Sequence, residues 1–305
     1  MLEIVLKRFF GLFSIIITQN KRFMIMIKYK LWTIFAAVLG VVLFSAYPSF
    51  AGEPVNYGLG LQPAATTSAE RIHDFHNMLL WIISGITLFV FLLLVFVVLR
   101  YNRHVNKTPS KVTHNVLLEI VWTVVPVVIL IVIAVPSFKI LYQNDRIVEP
   151  DMVLKVRGNQ WYWDYEYPDH GGIAFASYMV PENELKEGQK RLLSTDNVVV
   201  LPIDTNISVL VTAGENDVIH SWAVPAFGVK IDAIPLRTNE TWFRITKPGV
   251  YYGQCSEICG KDHAFMPIEI HAVTKEEFEA WVEKAKEEFA SIRIPATMKY
   301  AALAK

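Results

Sequence analysis

Two cysteines are all that this 305-residue chain contains, which excludes a disulfide framework as the source of its stability. The motif Cys-x-x-Cys-His occurs nowhere, so no c-type haem is attached covalently. Net formal charge is zero, and no overall excess of positive charge points to nucleic acid. Internal repeats and low-complexity segments are absent too. Charge is missing altogether from Met78 to Leu99, 22 residues rich in Leu, Ile, Val and Phe. A buried helix of a soluble protein competes poorly at that length, whereas a ~30 Å hydrocarbon core takes ~20 such residues.

The loop that follows lacks acid but carries Arg100, Arg103, Lys107 and Lys111. A second apolar run, Ile120 to Ser137, lies between Glu119 and Lys139 and includes Pro126 and Pro136. A membrane helix tolerates such prolines where neighbours re-satisfy the freed carbonyls. Two spans joined by a Lys/Arg loop predict a hairpin with a cytoplasmic turn and both ends outside. Residues 1–51 read as signal and processing sequence. Lys28 and Lys30 precede an apolar run from Leu31 to Phe44, and Ser49-Phe50-Ala51 offers a cleavage site before Gly52.

From Met152 onward the pattern changes. Short β-rich runs at Met152–Arg157, Trp161–Tyr167, Val198–Ile203, Ile207–Thr212, Val218–Val224, Thr241–Thr246 and Pro267–His271 alternate with turn residues. That spacing, with no helical pattern between, predicts a β-sandwich or barrel. Thr274 to Ala290 then places Phe278, Trp281, Val282, Ala285 and Phe289 on one face among Glu and Lys. Thr274 is the expected N-cap, and Glu277 completes a capping box. The expected organisation is a signal over 1–51, an external segment over 52–77 and a transmembrane hairpin over 78–141. A β domain over 142–273 and an amphipathic helix with its tail over 274–305 complete it. The fold class is therefore membrane-anchored all-β.

Both cysteines fall in one stretch, Gln254-Cys-Ser-Glu-Ile-Cys-Gly-Lys-Asp-His-Ala-Phe-Met266. Cys255, Cys259, His263 and Met266 lie within twelve positions, and His220 stands 35 residues before Cys255. In an exported domain Cys-x-x-x-Cys is compatible with a disulfide, and two Cys with two His are compatible with zinc. Met266 argues against zinc, because a thioether suits copper as a weak ligand. Two thiolates can also bridge two coppers. His220 and His263 would then close the two ends, Met266 would weakly ligate one metal, and a loop carbonyl would serve the other.

Taken together, His220-Ser-Trp-Ala-Val-Pro, Tyr251-Tyr-Gly-Gln-Cys-Ser-Glu-Ile-Cys-Gly and His263-x-x-Met-Pro resemble subunit II of haem–copper cytochrome c oxidase. The resemblance runs from about His73 to the end of the β domain. It implies a cupredoxin-like sandwich carrying the binuclear copper centre CuA, with His220, Cys255, Cys259, His263 and Met266 as side-chain ligands. Glu257 would ligate copper through its backbone carbonyl and face, through its carboxylate, a Mg2+ shared with subunit I. The resemblance implies that electrons enter from cytochrome c at Trp161 and leave for haem in subunit I, where oxygen is reduced and protons are pumped. The haems belong to subunit I alone. Glu119, in Glu-x-x-Trp, matches a position at the mouth of a proton-uptake path, and Asn159 stands where the family commonly has His. His73, Asp74 and His76 match an interfacial His-rich segment and are not read as ligands. Implied partners are subunit I, the other oxidase subunits, cytochrome c and the lipid bilayer, in a bacterial inner membrane with the copper domain in the periplasm.

Residues 151–272 hold 16 Asp and Glu against 10 Lys and Arg, which suits a basic partner. Glu166, Asp169, Asp204, Glu215 and Asp217 are the candidate docking acids. Among rivals, a quinol oxidase subunit II lacks the copper ligands, and nitrous oxide reductase needs a propeller for which there is no room. A copper carrier would have an open site with few ligands, and a receptor-like domain would have a Cys255–Cys259 disulfide.

Overall fold

A computed structural model describes residues 52–108, 110–146 and 149–289; the expected signal segment and the last sixteen residues lie outside these. Among the described residues two helices come first, α1 (Thr67–Arg100) and α2 (Val116–Asp145). Their most apolar stretches bury nothing within the chain, as expected of surfaces that face lipid. Each helix begins on a side-chain cap. The Thr66 hydroxyl accepts from the Ala69 N–H, and the Asn115 side chain accepts from the Leu118 N–H. Helix α1 starts eleven residues before the apolar run at Met78, so about three turns of it stand outside the hydrocarbon. There it is clamped to the β domain. The Thr66 hydroxyl donates to the Phe227 carbonyl at 2.7 Å, and the Thr246 N–H donates to the Ala65 carbonyl at 2.8 Å.

The β domain has ten strands: β1 (Met152–Asn159), β2 (Tyr162–Tyr167), β3 (Ile173–Ser177), β4 (Val199–Pro202), β5 (Asn206–Ala213), β6 (His220–Val224), β7 (Val229–Ala233), β8 (Asn239–Arg244), β9 (Gly249–Gln254) and β10 (Pro267–Val273). One sheet runs β3-β2-β1-β5-β8, a second runs β4-β10-β9, and β6 pairs with β7. Most pairs are antiparallel, but β1 with β5 and β4 with β10 are parallel. Strand β1 alternates a buried face, Met152, Leu154 and Val156, with a more exposed one. Trp163, Tyr165, Phe175, Trp222, Phe243 and Ile268 from all three sheets are fully enclosed in one core.

Helix α3 (Lys275–Glu288) closes one side of that core with Phe278, Val282 and Ala285. Both halves of its capping box are formed, the Glu277 N–H donating to the Thr274 hydroxyl and the Thr274 N–H to the Glu277 carboxylate. Thr274→Ala removes one half and unseats the other. The expected loss is about 1 kcal/mol, read as roughly five-fold faster amide hydrogen exchange in the first turn of α3. Unchanged exchange there would mean that packing alone sets the helix start.

Candidate metal centre

Strands β6 and β9 carry the two halves of the site. His220 is the first residue of β6 and is fully buried. Strand β9 ends at Gln254, and the loop from Cys255 to Met266 returns to β10. The halves meet because Gly253 lets the strands approach: a Cβ there would sit 2.1 Å from the Ala223 carbonyl oxygen. Beside that contact the Ser256 N–H donates to the Ser221 carbonyl at 3.0 Å. Gly158, on β1, leaves room for the His220 ring, whose carbons lie 2.9–3.0 Å from where its Cβ would be. The Trp163 ring meets that imidazole edge-on at 6.0 Å between centroids.

Within this frame the soft donors form a chain. His220 Nδ1 lies 3.9 Å from Cys255 Sγ, which lies 3.8 Å from Cys259 Sγ, which lies 3.4 Å from His263 Nδ1. The Met266 thioether is 3.6 Å from Cys259 Sγ, and the Glu257 carbonyl is 3.4 Å from Cys255 Sγ. Both cysteines are free, and their separation is far beyond the ~2.05 Å of a disulfide. Donors bound at ~2.0–2.3 Å around a tetrahedral ion stand ~3.4–3.8 Å apart, so the spacing suits shared metal. Six donors are also two more than a structural zinc takes. His220, Cys259 and Met266 are almost wholly buried, while His263 is half-buried. The centre thus has an inner end at His220 and an outer end at His263.

The protons are unevenly held. Burial pushes the Cys255 thiol up, but hydrogen bonds to His220 and to the backbone of Glu257 and Ser221 outweigh it and bring it down to about 6. Burial and the neighbouring Cys255 sulfur push Cys259 up to about 12. Burial alone would lower His220, yet its bonds to Cys255 and Asp217 raise it. Cys255 is thus the more acidic thiol of the pair, and binding of a metal by both would release protons.

Trp161 is half-buried at the outer face of the loop. Its indole N–H donates to the Cys259 carbonyl at 3.0 Å, and the Gln160 side-chain amide donates to the same oxygen at 2.9 Å. The Lys261 ammonium lies 5.4 Å from the Trp161 ring centroid. Asn159, in place of the expected His, donates to the Asp164 carboxylate at 3.0 Å, which also accepts from Arg157 at 2.9 Å. The aromatic segment keeps its seat through this buried network.

The docking acids separate into two groups. Asp217 accepts from the Gln160 N–H at 3.0 Å and lies 3.2 Å from His220 Nε2, and the exposed Glu215 is two residues away. Asp169 instead accepts from the Val153 N–H, at the opposite end of β1, ~20 Å along the strand. Glu166 pairs with Lys155 at 3.0 Å, and Asp204 pairs with Arg244 at 3.3 Å at that same far end. Glu119 lies in the first turn of α2, some 26 residues or ~39 Å of helix from Asp145, remote from the sulfurs. The Glu257 carboxylate is half-buried and forms no ion pair among the described residues. Sequence reasoning missed Gln160, Gly158 and Gly253, and it took Asp217 for a surface charge. No spacing rule marks an Asp three residues before a His as its partner.

Residues 152–273 match the family described as cytochrome c oxidase subunit II, periplasmic domain, and residues 54–140 match its transmembrane domain. A probable cytochrome c oxidase subunit 2 of Rickettsia bellii is 53% identical over 245 residues, covering 80% of this chain and 90% of that protein. The cytochrome c oxidase subunit 2 of Zea mays is 46% identical over 238 residues, covering 76% of this chain and 90% of that protein. The crystal structure of the periplasmic domain of subunit II of cytochrome oxidase of Bradyrhizobium japonicum shares 53% identity, with a TM-score of 0.44, over 47% of this chain and 99% of its own. With two transmembrane helices, a periplasmic cupredoxin domain and a His/Cys/Cys/Met cluster between its strands, this chain belongs to the cytochrome c oxidase subunit II family.

Proposed function

We propose that this chain receives electrons from reduced cytochrome c at a binuclear copper centre and delivers them to haem in subunit I of a bacterial inner-membrane oxidase. The observation that carries the reading is the pair of unoxidised thiols 3.8 Å apart, each with its own imidazole. Two coppers bound there would supply a one-electron couple shared across both metals, and Cys255, Cys259, His220, His263, Met266 and the Glu257 carbonyl would hold them. The chain's contribution is rigidity. Trp163 donates to the Met266 carbonyl at 3.2 Å, and Asp217 fixes the far nitrogen of His220 at 3.2 Å. Ligands held in this way change little as charge changes. The Glu257 carboxylate is assigned to a Mg2+ shared with subunit I, and Glu119 to proton uptake on the cytoplasmic side. The test is the EPR spectrum of the detergent-purified oxidase. A seven-line mixed-valence signal supports two coppers sharing one electron; a four-line signal or none overturns the reading.

Trp161 is assigned to electron uptake because its indole is bonded directly to a ligand residue. Trp161→Phe keeps an aromatic ring and leaves Gln160 on the same carbonyl. Cytochrome c oxidation is expected to fall at least roughly ten-fold, the scale of an outer-shell change, with the copper spectrum intact. Normal turnover would remove the assignment. The docking face is drawn around the exposed Glu215, two residues from the Asp217 that holds the Gln160 N–H beside Trp161. Its signature is an oxidation rate that falls steeply with ionic strength; a flat response would count against it.

A further inference from the structure

The hairpin holds a second feature that neither copper nor haem uses. Between the outer ends of α1 and α2 lies a cavity of about 460 Å³. Its lining combines the charged Arg71, Asp74 and Lys139 with the apolar Phe75, Met78 and Ile140. Its level in the membrane follows from the sequence. Met78 opens the uncharged stretch of α1, and Lys139 directly follows the apolar run of α2. Arg71 stands seven residues above Met78, ~10 Å along the helix, at headgroup depth. Tyr142, three residues beyond Lys139, is largely exposed, as a side chain of an interfacial aromatic belt is.

Charge selects the occupant. Neither Arg71 nor Lys139 forms an ion pair among the described residues, and neighbouring Glu70 is drawn to Lys247 at 3.7 Å. Two cations against one acid leave the cavity with an unbalanced positive charge. Below it, exposed apolar side chains such as Leu80 and Phe138 continue along both helices. We propose that this groove binds one anionic phospholipid of the outer leaflet, its phosphate between Arg71 and Lys139 and its acyl chains along Phe75, Met78 and Ile140. The volume holds a phosphate and a glycerol, and the chains lie outside it on the helix faces. The inference rests on the transmembrane hairpin and not on the copper reading.

The test uses the intact oxidase, stripped of lipid in mild detergent and given dioleoyl phosphatidylglycerol or dioleoyl phosphatidylcholine. Native mass spectrometry counts the bound lipid. Wild type is expected to retain one more phosphatidylglycerol than Arg71→Gln/Lys139→Gln, each cation contributing about five-fold in retention. Asp74→Asn is expected to move retention the other way, which simple damage to the hairpin would not do. Equal retention in all three proteins overturns the proposal, as does equal retention of phosphatidylcholine. Displacement by millimolar inorganic phosphate would reduce the groove to an anion pocket and overturn the lipid assignment.

Discussion

Cys259→Ser is expected to abolish the seven-line copper spectrum and to cut cytochrome c oxidation by more than the roughly 10–100-fold that outer-shell changes cost. Cys259 joins the outer half of the cluster to the inner half. Its sulfur lies 3.8 Å from Cys255, 3.4 Å from His263 and 3.6 Å from Met266. Serine supplies a shorter, harder oxygen that does not ionise near neutral pH, and hard donors hold soft copper poorly. The outer imidazole and the thioether then lose the sulfur that joins them to the inner half. His220 and Cys255 remain, with the Glu257 carbonyl, enough at most for a single metal. The backbone carbonyl of residue 259 survives, so Trp161 and Gln160 keep their acceptor. The loss therefore reports on the shared sulfur and not on a displaced aromatic ring. A variant that kept the seven-line spectrum would show that the Cys259 sulfur is not needed to hold the pair of metals and would remove its assignment as a shared ligand.

Why the donors were legible and their frame was not has a physical cause. Cys255, Cys259, His263 and Met266 lie in one loop, so sequence spacing alone gathers them, and softness limits what they bind. The hairpin was equally open to reading, since an uncharged run of 22 residues has few other uses. Helix α3 announced itself by period and cap, and both halves of the box at Thr274 and Glu277 are formed. Strands β3, β7 and β9 were not foreseen. Ile173–Ser177 follows two glycines, and all but one of its residues are buried, so it lacks a clean alternation. Gly249 opens β9 and reads as the end of a turn after Pro248. Parallel pairing of β1 with β5 joins residues some 55 positions apart, which no local pattern encodes. The same distance hides the tie between Gln160 and Asp217, 57 residues apart. Composition named five docking acids without placing them: Glu215 and Asp217 stand at the Trp161 end of β1, and Asp169 and Asp204 stand at the other.

Gly253→Ala should be the most damaging small substitution in the β domain. Its Cβ would lie 2.1 Å from the Ala223 carbonyl oxygen and 3.2 Å from a Val224 methyl. The first contact is with backbone, so no side-chain rotation relieves it. At Gly158, by contrast, an added methyl meets the His220 ring at 2.9–3.0 Å, which can turn. Relief at Gly253 requires β9 to back away from β6 by about 1 Å, and overpacking of this kind costs about 3 kcal/mol or more. For a domain of this size that is a fall of about 10 °C in melting temperature. The position makes it more than a stability defect. Gly253 lies two residues before Cys255, and Ala223 three residues after His220. The movement that removes the clash also stretches the Ser256-to-Ser221 hydrogen bond of 3.0 Å and opens the 3.9 Å gap between His220 and Cys255. Copper content and thermal stability should therefore fall together, although residue 253 touches no metal. The measurement is copper per haem in the purified oxidase alongside its thermal inactivation temperature. Wild-type values for both would mean that the close approach of β6 and β9 does not set the site.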